Sequence, residues 1–88
     1  MAFDCDIVTP DREVFKESVS SVILPAHDGQ IGILTNRAPL LVRLGAGTLT
    51  ATLARGGTTT AFRVRGGVAQ MKDNHLTVLT ETADAATA

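Results

Sequence analysis

The sequence predicts an all-β fold, a small two-sheet β-sandwich or flattened barrel of about eight to ten short strands. Three observations lead there. Apolar residues recur with period two over most of the chain, as on the inner face of a half-buried strand. Turn-forming residues punctuate these runs every few positions. No window of eleven residues carries an apolar stripe at the 3.6-residue spacing of a helix.

Phe3, Cys5 and Ile7 alternate with Asp4 and Asp6, which predicts a strand with its odd positions inward. Thr9-Pro10-Asp11-Arg12 predicts a turn, Pro10 supplying a preset φ and Asp11 a local hydrogen-bonding side chain. A short strand around Val14 to Lys16 follows. Val19 to Leu24 is rich in β-branched residues and predicts a strand buried on both faces near its end, which Pro25 closes. From Leu24 to Gly47 the chain sets Gly29, Gly32, Gly45, Gly47, Pro25 and Pro39 among Ile, Leu and Val. A helix would break at each of them, so short strands and tight loops are expected, one loop carrying His27, Asp28 and Gln30.

The segment from Thr48 to Leu53 turns its threonines to one face and Leu49, Ala51 and Leu53 to the other. Arg55-Gly56-Gly57-Thr58 then leads into a strand with Phe62 and Val64 on one side, so the pair reads as a hairpin. Gly66-Gly67 interrupts the next strand, as a bulge or a close backbone approach would require. Val68 to Met71 and His75 to Leu79 form a last hairpin about Asp73-Asn74. The run from Ala83 to Ala88 is Ala-rich and too short to stand as a helix. The domain is accordingly placed at residues 1–84, with a short tail at 85–88.

The inward positions expected from this pattern are Phe3, Cys5, Ile7, Val14, Val22, Leu24, Ile33, Leu49, Leu53, Phe62, Val64, Leu76 and Val78. A chain of 88 residues is one small domain, and at that length folding buries only about 60 to 65% of the unfolded surface. A partner that covers part of the outside would supplement so thin a core. The 44% apolar content is ordinary, and the longest apolar runs fall far below membrane-spanning length. The N-terminus has neither a basic start nor an apolar stretch of signal-peptide length, so a cytosolic-side protein is expected.

Eight Lys plus Arg against nine Asp plus Glu leave a net charge of -1, which offers no field for a phosphate backbone. Three Phe without Trp or Tyr leave almost no platform for stacking bases. Nucleic acid is therefore not an expected partner. The lone Cys5 cannot form an internal disulfide and reads as a small buried hydrophobe.

Motifs for chemistry are sparse. Gly45-Ala46-Gly47-Thr48-Leu49-Thr50 starts like a dinucleotide fingerprint, but Thr50 replaces the third glycine and the period-two pattern that follows opens no helix for a phosphate. His27 and His75, with Cys5 or Asp28, supply metal-ligand types without metal-ligand spacing. Ser18, Ser20 and Ser21 lack the glycines of a nucleophile elbow and read as solvated strand residues. Asp4 and Asp6 lie on one strand face about 7 Å apart, where solvation is a plainer account than a glycosidase pair. Lys72 sits at a hairpin tip, where biotinyl or lipoyl carrier domains present their modified lysine. That carrier is the alternative reading of the chain. No catalytic residue, cofactor or metal is expected.

Leu24-Pro25, Asp28-Gly29-Gln30-Ile31-Gly32-Ile33, Ala38-Pro39-Leu40-Leu41 and Leu44-Gly45-Ala46-Gly47, in that order, resemble the epsilon subunit of F-type ATP synthase. The flanks agree: Phe3 to Val8 with the following TPDREVF resembles the family's first strands, and VRGGVAQMKDNHLTVLTETA its closing strand and hairpin. The resemblance covers about residues 2 to 84. It implies a β-sandwich and a non-catalytic subunit at the foot of the central stalk, held between the gamma subunit and the ring of c subunits, peripheral to the membrane on its cytoplasmic side.

By the same resemblance, the loop His27, Asp28, Gly29, Gln30, Ile31 and Gly32 faces the c ring. Thr9, Arg37, Ala38, Pro39, Leu40 and Val42 face gamma. The place of Gln30 is often acidic in the family, which leaves Asp28 as the charged contact here. Many members have His at the place of Arg37. Members usually continue into a two-helix hairpin that can inhibit ATP hydrolysis and, in some, binds ATP; this sequence ends at Ala88 and neither property is carried over.

Overall fold

A computed structural model of the chain describes residues 2–86. Among these residues nine strands form: β1 (Phe3–Val8), β2 (Glu13–Ala26), β3 (Gly29–Leu34), β4 (Leu40–Arg43), β5 (Ala46–Leu53), β6 (Thr59–Arg65), β7 (Val68–Lys72), β8 (His75–Leu79) and β9 (Thr82–Ala86). One hydrogen-bonded sheet runs in the order β4-β7-β8-β1-β2-β5-β6-β9, with β3 attached to β2. All pairs are antiparallel except β1 with β8, which is parallel. The expected all-β class therefore stands.

The long β2 makes a sandwich out of this sheet. Its first half pairs with β1, from Val8↔Glu13 to Phe3↔Val19. Its second half pairs with β5 through Val19 to Ile23 and with β3 through Ser21 to Ala26. The first half thus belongs to a layer with β1, β8, β7 and β4, and the second half to a layer with β3, β5, β6 and β9. Inner faces of both layers feed one continuous core, in which Phe3, Ile7, Leu24, Ile33, Leu49, Met71, Leu76 and Val78 are all buried. Phe15 on the first half of β2 reaches Phe62 on β6 edge to face, at a ring separation of 5.3 Å. Of the thirteen inward positions read from the pattern, only Val14 and Leu53 stop at partial burial, and both still pack against the core.

Two expectations about β2 are corrected. Val14 to Lys16 and Val19 to Leu24 are not separate strands, and Pro25 does not close the second one. A register shift between Val19 and Ser21 against β5 lets the chain bend from one layer to the other without leaving the ladder. Ser20 sits at that bulge, and its hydroxyl donates to the Thr52 carbonyl at 3.4 Å. Pro25 is tolerated because a strand residue points its N and its carbonyl to the same side, and the Pro25 carbonyl accepts from the Gly45 N–H at 2.9 Å. Its missing donor therefore faces away from β3 and costs the β2–β3 ladder nothing.

The chain's end differs as well. Thr82–Ala86 forms β9, an edge strand on β6 in which Ala86 pairs with Ala61 and Ala85 with Phe62. Two residues of the stretch expected as a tail thus lie in the sheet, while Met1, Thr87 and Ala88 fall outside the described residues. Alanine carries little β-propensity; the open edge of β6 and the burial of Ala83 supply the reason for a strand there.

A tight corner joins the layers where β6 passes into β7. Gly67 has φ +102°, and a Cβ placed on it would overlap the Leu79 carbonyl oxygen. Of the two readings of Gly66-Gly67, the close backbone approach is the one found. Beside it, buried Thr80 donates its hydroxyl to the Gly66 carbonyl at 2.8 Å, and its N–H bonds to the Val8 carbonyl at 3.0 Å.

Candidate docking surface

The β2–β3 connection is a two-residue hairpin. Ala26 pairs with Gly29, and His27 and Asp28 form the tip. Gly29 adopts φ +139°, a conformation in which a side chain would be strained. The tip is fixed from outside its own hairpin: the His27 N–H donates to the Arg43 carbonyl at 2.9 Å, and Ala26 bridges Leu44. β2 thereby returns, in the second layer, to β4 on the far edge of the first. A groove of about 460 Å³ lies between the two, lined by residues 26–31 on one side and 41–43 on the other. Its rim carries one carboxylate, Asp28, and one guanidinium, Arg43.

Residues expected to face partners are only partly gathered there. His27, Asp28, Gly29, Gln30 and Gly32 are exposed, while Ile31 is half-buried and packs on the core. Along β4 the alternation runs the other way from the expected contact set. Leu40 packs against the core and Val42 is only 9% exposed, whereas Leu41 between them is 71% exposed. The outward turn of Leu41 is not legible in the sequence because Ala38 to Val42 is apolar throughout, so period two has no polar residue by which to choose a face. Arg37, Ala38 and Pro39 are exposed in the β3–β4 loop, outside the groove. Thr9 turns the chain, its N–H bonded to the Arg12 carbonyl at 2.9 Å, and lines a second, apolar groove of about 380 Å³ with Pro10, Gly67 and Leu79.

The remaining candidates resolve into structural roles. His75 starts β8, and its Nε2 lies 2.8 Å from Asp6 Oδ2, within hydrogen-bond distance. Asp6 is not the solvated carboxylate the sequence pattern predicts: it is half-buried, and its Oδ1 has no hydrogen-bond partner among the described residues. Cys5 is fully buried, and burial, with the neighbouring Asp6 carboxylate as a lesser cause, pushes its thiol up to about 12. No group of three or more His, Cys, Asp or Glu able to hold a metal ion occurs among the described residues. Gly45-Ala46-Gly47 leads into β5 and not into a helix. Lys72 is exposed at the end of β7, paired with His75 across the Asp73-Asn74 turn. Both turn residues have positive φ, 53° and 57°, as a tight two-residue hairpin demands.

Fold and groove together define a small β-sandwich domain with a pinned hairpin tip and a cleft between that tip and β4. The family model described as the ATP synthase delta/epsilon chain, beta-sandwich domain, matches residues 2–86, and the chain belongs to that family. An ATP synthase epsilon chain of Desulforamulus reducens is 41% identical over 81 residues, 92% of this chain and 60% of the relative. That of Nitratidesulfovibrio vulgaris is 44% identical over 81 residues, again 92% of this chain and 59% of the relative. The chain thus spans about 60% of the length of the curated relatives it matches.

Among solved structures, a chain of the Euglena gracilis mitochondrial ATP synthase OSCP/F1/c-ring is 20% identical. It superposes with a TM-score of 0.87 over 96% of this chain and 53% of that one. A chain of the Tetrahymena thermophila mitochondrial ATP synthase central stalk and c ring is 18% identical, with a TM-score of 0.72 over 91% of this chain and 63% of that one. Both share the fold. The carrier alternative on Lys72 finds no support in these comparisons. No helix of the chain's described residues is long and apolar enough to cross a membrane.

Proposed function

We propose that the chain is the β-sandwich part of an ATP synthase epsilon subunit, a non-catalytic rotor element that couples gamma to the c-subunit ring during proton-driven ATP synthesis. The observation that carries this reading is the family match over residues 2–86. It works as a peripheral protein on the cytoplasmic face of the bacterial inner membrane, held there through the complex.

A torque-transmitting part has to be stiff, because freedom lost on docking weakens the contact. Three features supply stiffness at the surface: the hairpin tip pinned by the Arg43 carbonyl, the Pro25 carbonyl bonded to Gly45, and the continuous β2 that joins both layers. His27, Asp28, Gly29, Gln30, Ile31 and Gly32 meet polar loops of the c ring, with Asp28 as the charged contact. Thr9, Arg37, Ala38, Pro39, Leu40 and Val42 belong to the gamma side. There Val42 acts through its backbone and the outward Leu41 adds the apolar side chain. Of the gamma-side set, Val42 alone lines the groove between the tip and β4, so the two sets meet their partners mostly on separate surfaces.

The test is co-elution with the gamma subunit on a sizing column at micromolar concentration. A stable complex is expected, and separate elution would overturn the reading.

A further inference from the structure

We propose that Asn74 is a positioning residue that holds the segment Arg37–Pro39 in its docking conformation; this rests on the assignment of that segment to the gamma side. The observation is a reciprocal clamp between the β3–β4 loop and the β7–β8 turn. The backbone N–H of Asn36 donates to Asn74 Oδ1 at 2.7 Å, and Asn74 Nδ2 donates to Asn36 Oδ1 at 3.0 Å. One carboxamide therefore uses its acceptor and a donor on the same loop residue, which fixes its orientation as well as its position.

The two ends of the clamp differ in firmness. Asn74 is a post: it belongs to the two-residue turn of a paired hairpin, and its carbonyl accepts from the Asp4 N–H of β1 at 3.1 Å. The loop it holds is a poor structure by itself. Asn36, Arg37, Ala38 and Pro39 are all exposed, so packing contributes little to their order. Within the loop, a single backbone bond, from the Arg37 N–H to the Leu34 carbonyl, is long at 3.3 Å. Asn36 also stands at φ +64°, a left-handed conformation that costs asparagine less than most residues but still gains from support outside the loop. The clamp supplies that support one position before Arg37. Without it, the loop would have to be ordered at the moment of docking, at a cost in affinity.

The clean perturbation is Asn74→Gly, because glycine accepts the φ of 57° and only the side chain is lost. Asn74→Asp keeps the acceptor for the Asn36 N–H and loses the Nδ2 donor, so it should retain part of the effect. Amide hydrogen exchange of the full chain, read by NMR, is expected to speed up at Asn36 and Arg37, the two bonded amides of the loop, by about tenfold in Asn74→Gly and less in Asn74→Asp. Affinity for gamma, read by calorimetry, should fall roughly three- to tenfold in Asn74→Gly, the loss that one or two net hydrogen bonds would cause. The urea midpoint should stay near the parent value, which separates positioning from general destabilisation. Unchanged exchange at Asn36 would overturn the clamp. Faster exchange with undiminished gamma affinity would overturn the positioning role alone. If the parent chain binds no gamma at all, the functional reading above fails, and the positioning role with it.

Discussion

Gly66 and Gly67 are adjacent, chemically identical and both at positive φ, yet they should respond very differently to a single methyl group. At Gly66 the φ is +65° and a Cβ would meet nothing within 4 Å. Gly66→Ala therefore costs only the left-handed backbone, about 1 to 2 kcal/mol. At Gly67 the φ is +102°, and a Cβ would overlap the Leu79 carbonyl oxygen and stand 2.8 Å from Thr80 Cα. No side-chain rotation relieves a clash with backbone, so the β6–β7 corner and the end of β8 must move apart. That separation strains the bond from the Leu44 N–H to the Gly67 carbonyl and those made by Thr80. Backbone strain of about 1 to 3 kcal/mol and two or three weakened hydrogen bonds at about 1 kcal/mol each add to roughly 3 to 6 kcal/mol. A domain of this length holds only about 4 to 13 kcal/mol in total. In urea, with a slope of about 1 kcal/mol per molar, Gly66→Ala should lower the midpoint by about 1 to 2 M. Gly67→Ala should lower it by at least twice that or abolish the cooperative transition. Equal midpoints for the two variants would mean that the close approach of Gly67 to the Leu79 carbonyl does not constrain the corner.

Other consequences follow from the same contacts. Thr80→Val keeps the shape of a side chain only 4% exposed but removes the donor to the Gly66 carbonyl, and should cost about 1 to 3 kcal/mol in chemical unfolding. Leu41→Asn, at a position 71% exposed, should leave stability within about 0.5 kcal/mol while weakening co-elution with gamma. The Cys5 thiol, pushed up to about 12 from its ordinary 9.0, makes a signed pH prediction. The unfolded chain gives up this proton first. The contribution of Cys5 to stability is therefore constant below about pH 9 and falls by up to about 1.4 kcal/mol per pH unit above it. Cys5→Ala should flatten the difference between urea midpoints at pH 8 and pH 10.5. In the folded chain at neutral pH the thiol should resist maleimide labelling.

The all-β class, the turns at Thr9-Pro10, Gly56-Gly57 and Asp73-Asn74, the core positions from Phe3 to Val78 and the family itself were all legible in the sequence. These properties are carried by short-range patterns: a side-chain period of two, residues suited to particular φ values, and an ordered series of glycines and prolines. What required the tertiary structure depends on partners distant in sequence. Pro25 looks like a strand end until Gly45 takes its carbonyl, and Thr82–Ala86 looks like a tail until β6 offers an open edge. Asp6 reads as a solvated carboxylate until His75, 69 positions away, reaches it. Leu41 could not be told from its apolar neighbours until β7 set the face of β4, and nothing near Asn36 announces Asn74. Local periodicity specifies which residues can be strands and which face is apolar. The choice of neighbour, and with it the burial of each polar group and the shape of the docking surface, is made only when the whole sheet closes over one core.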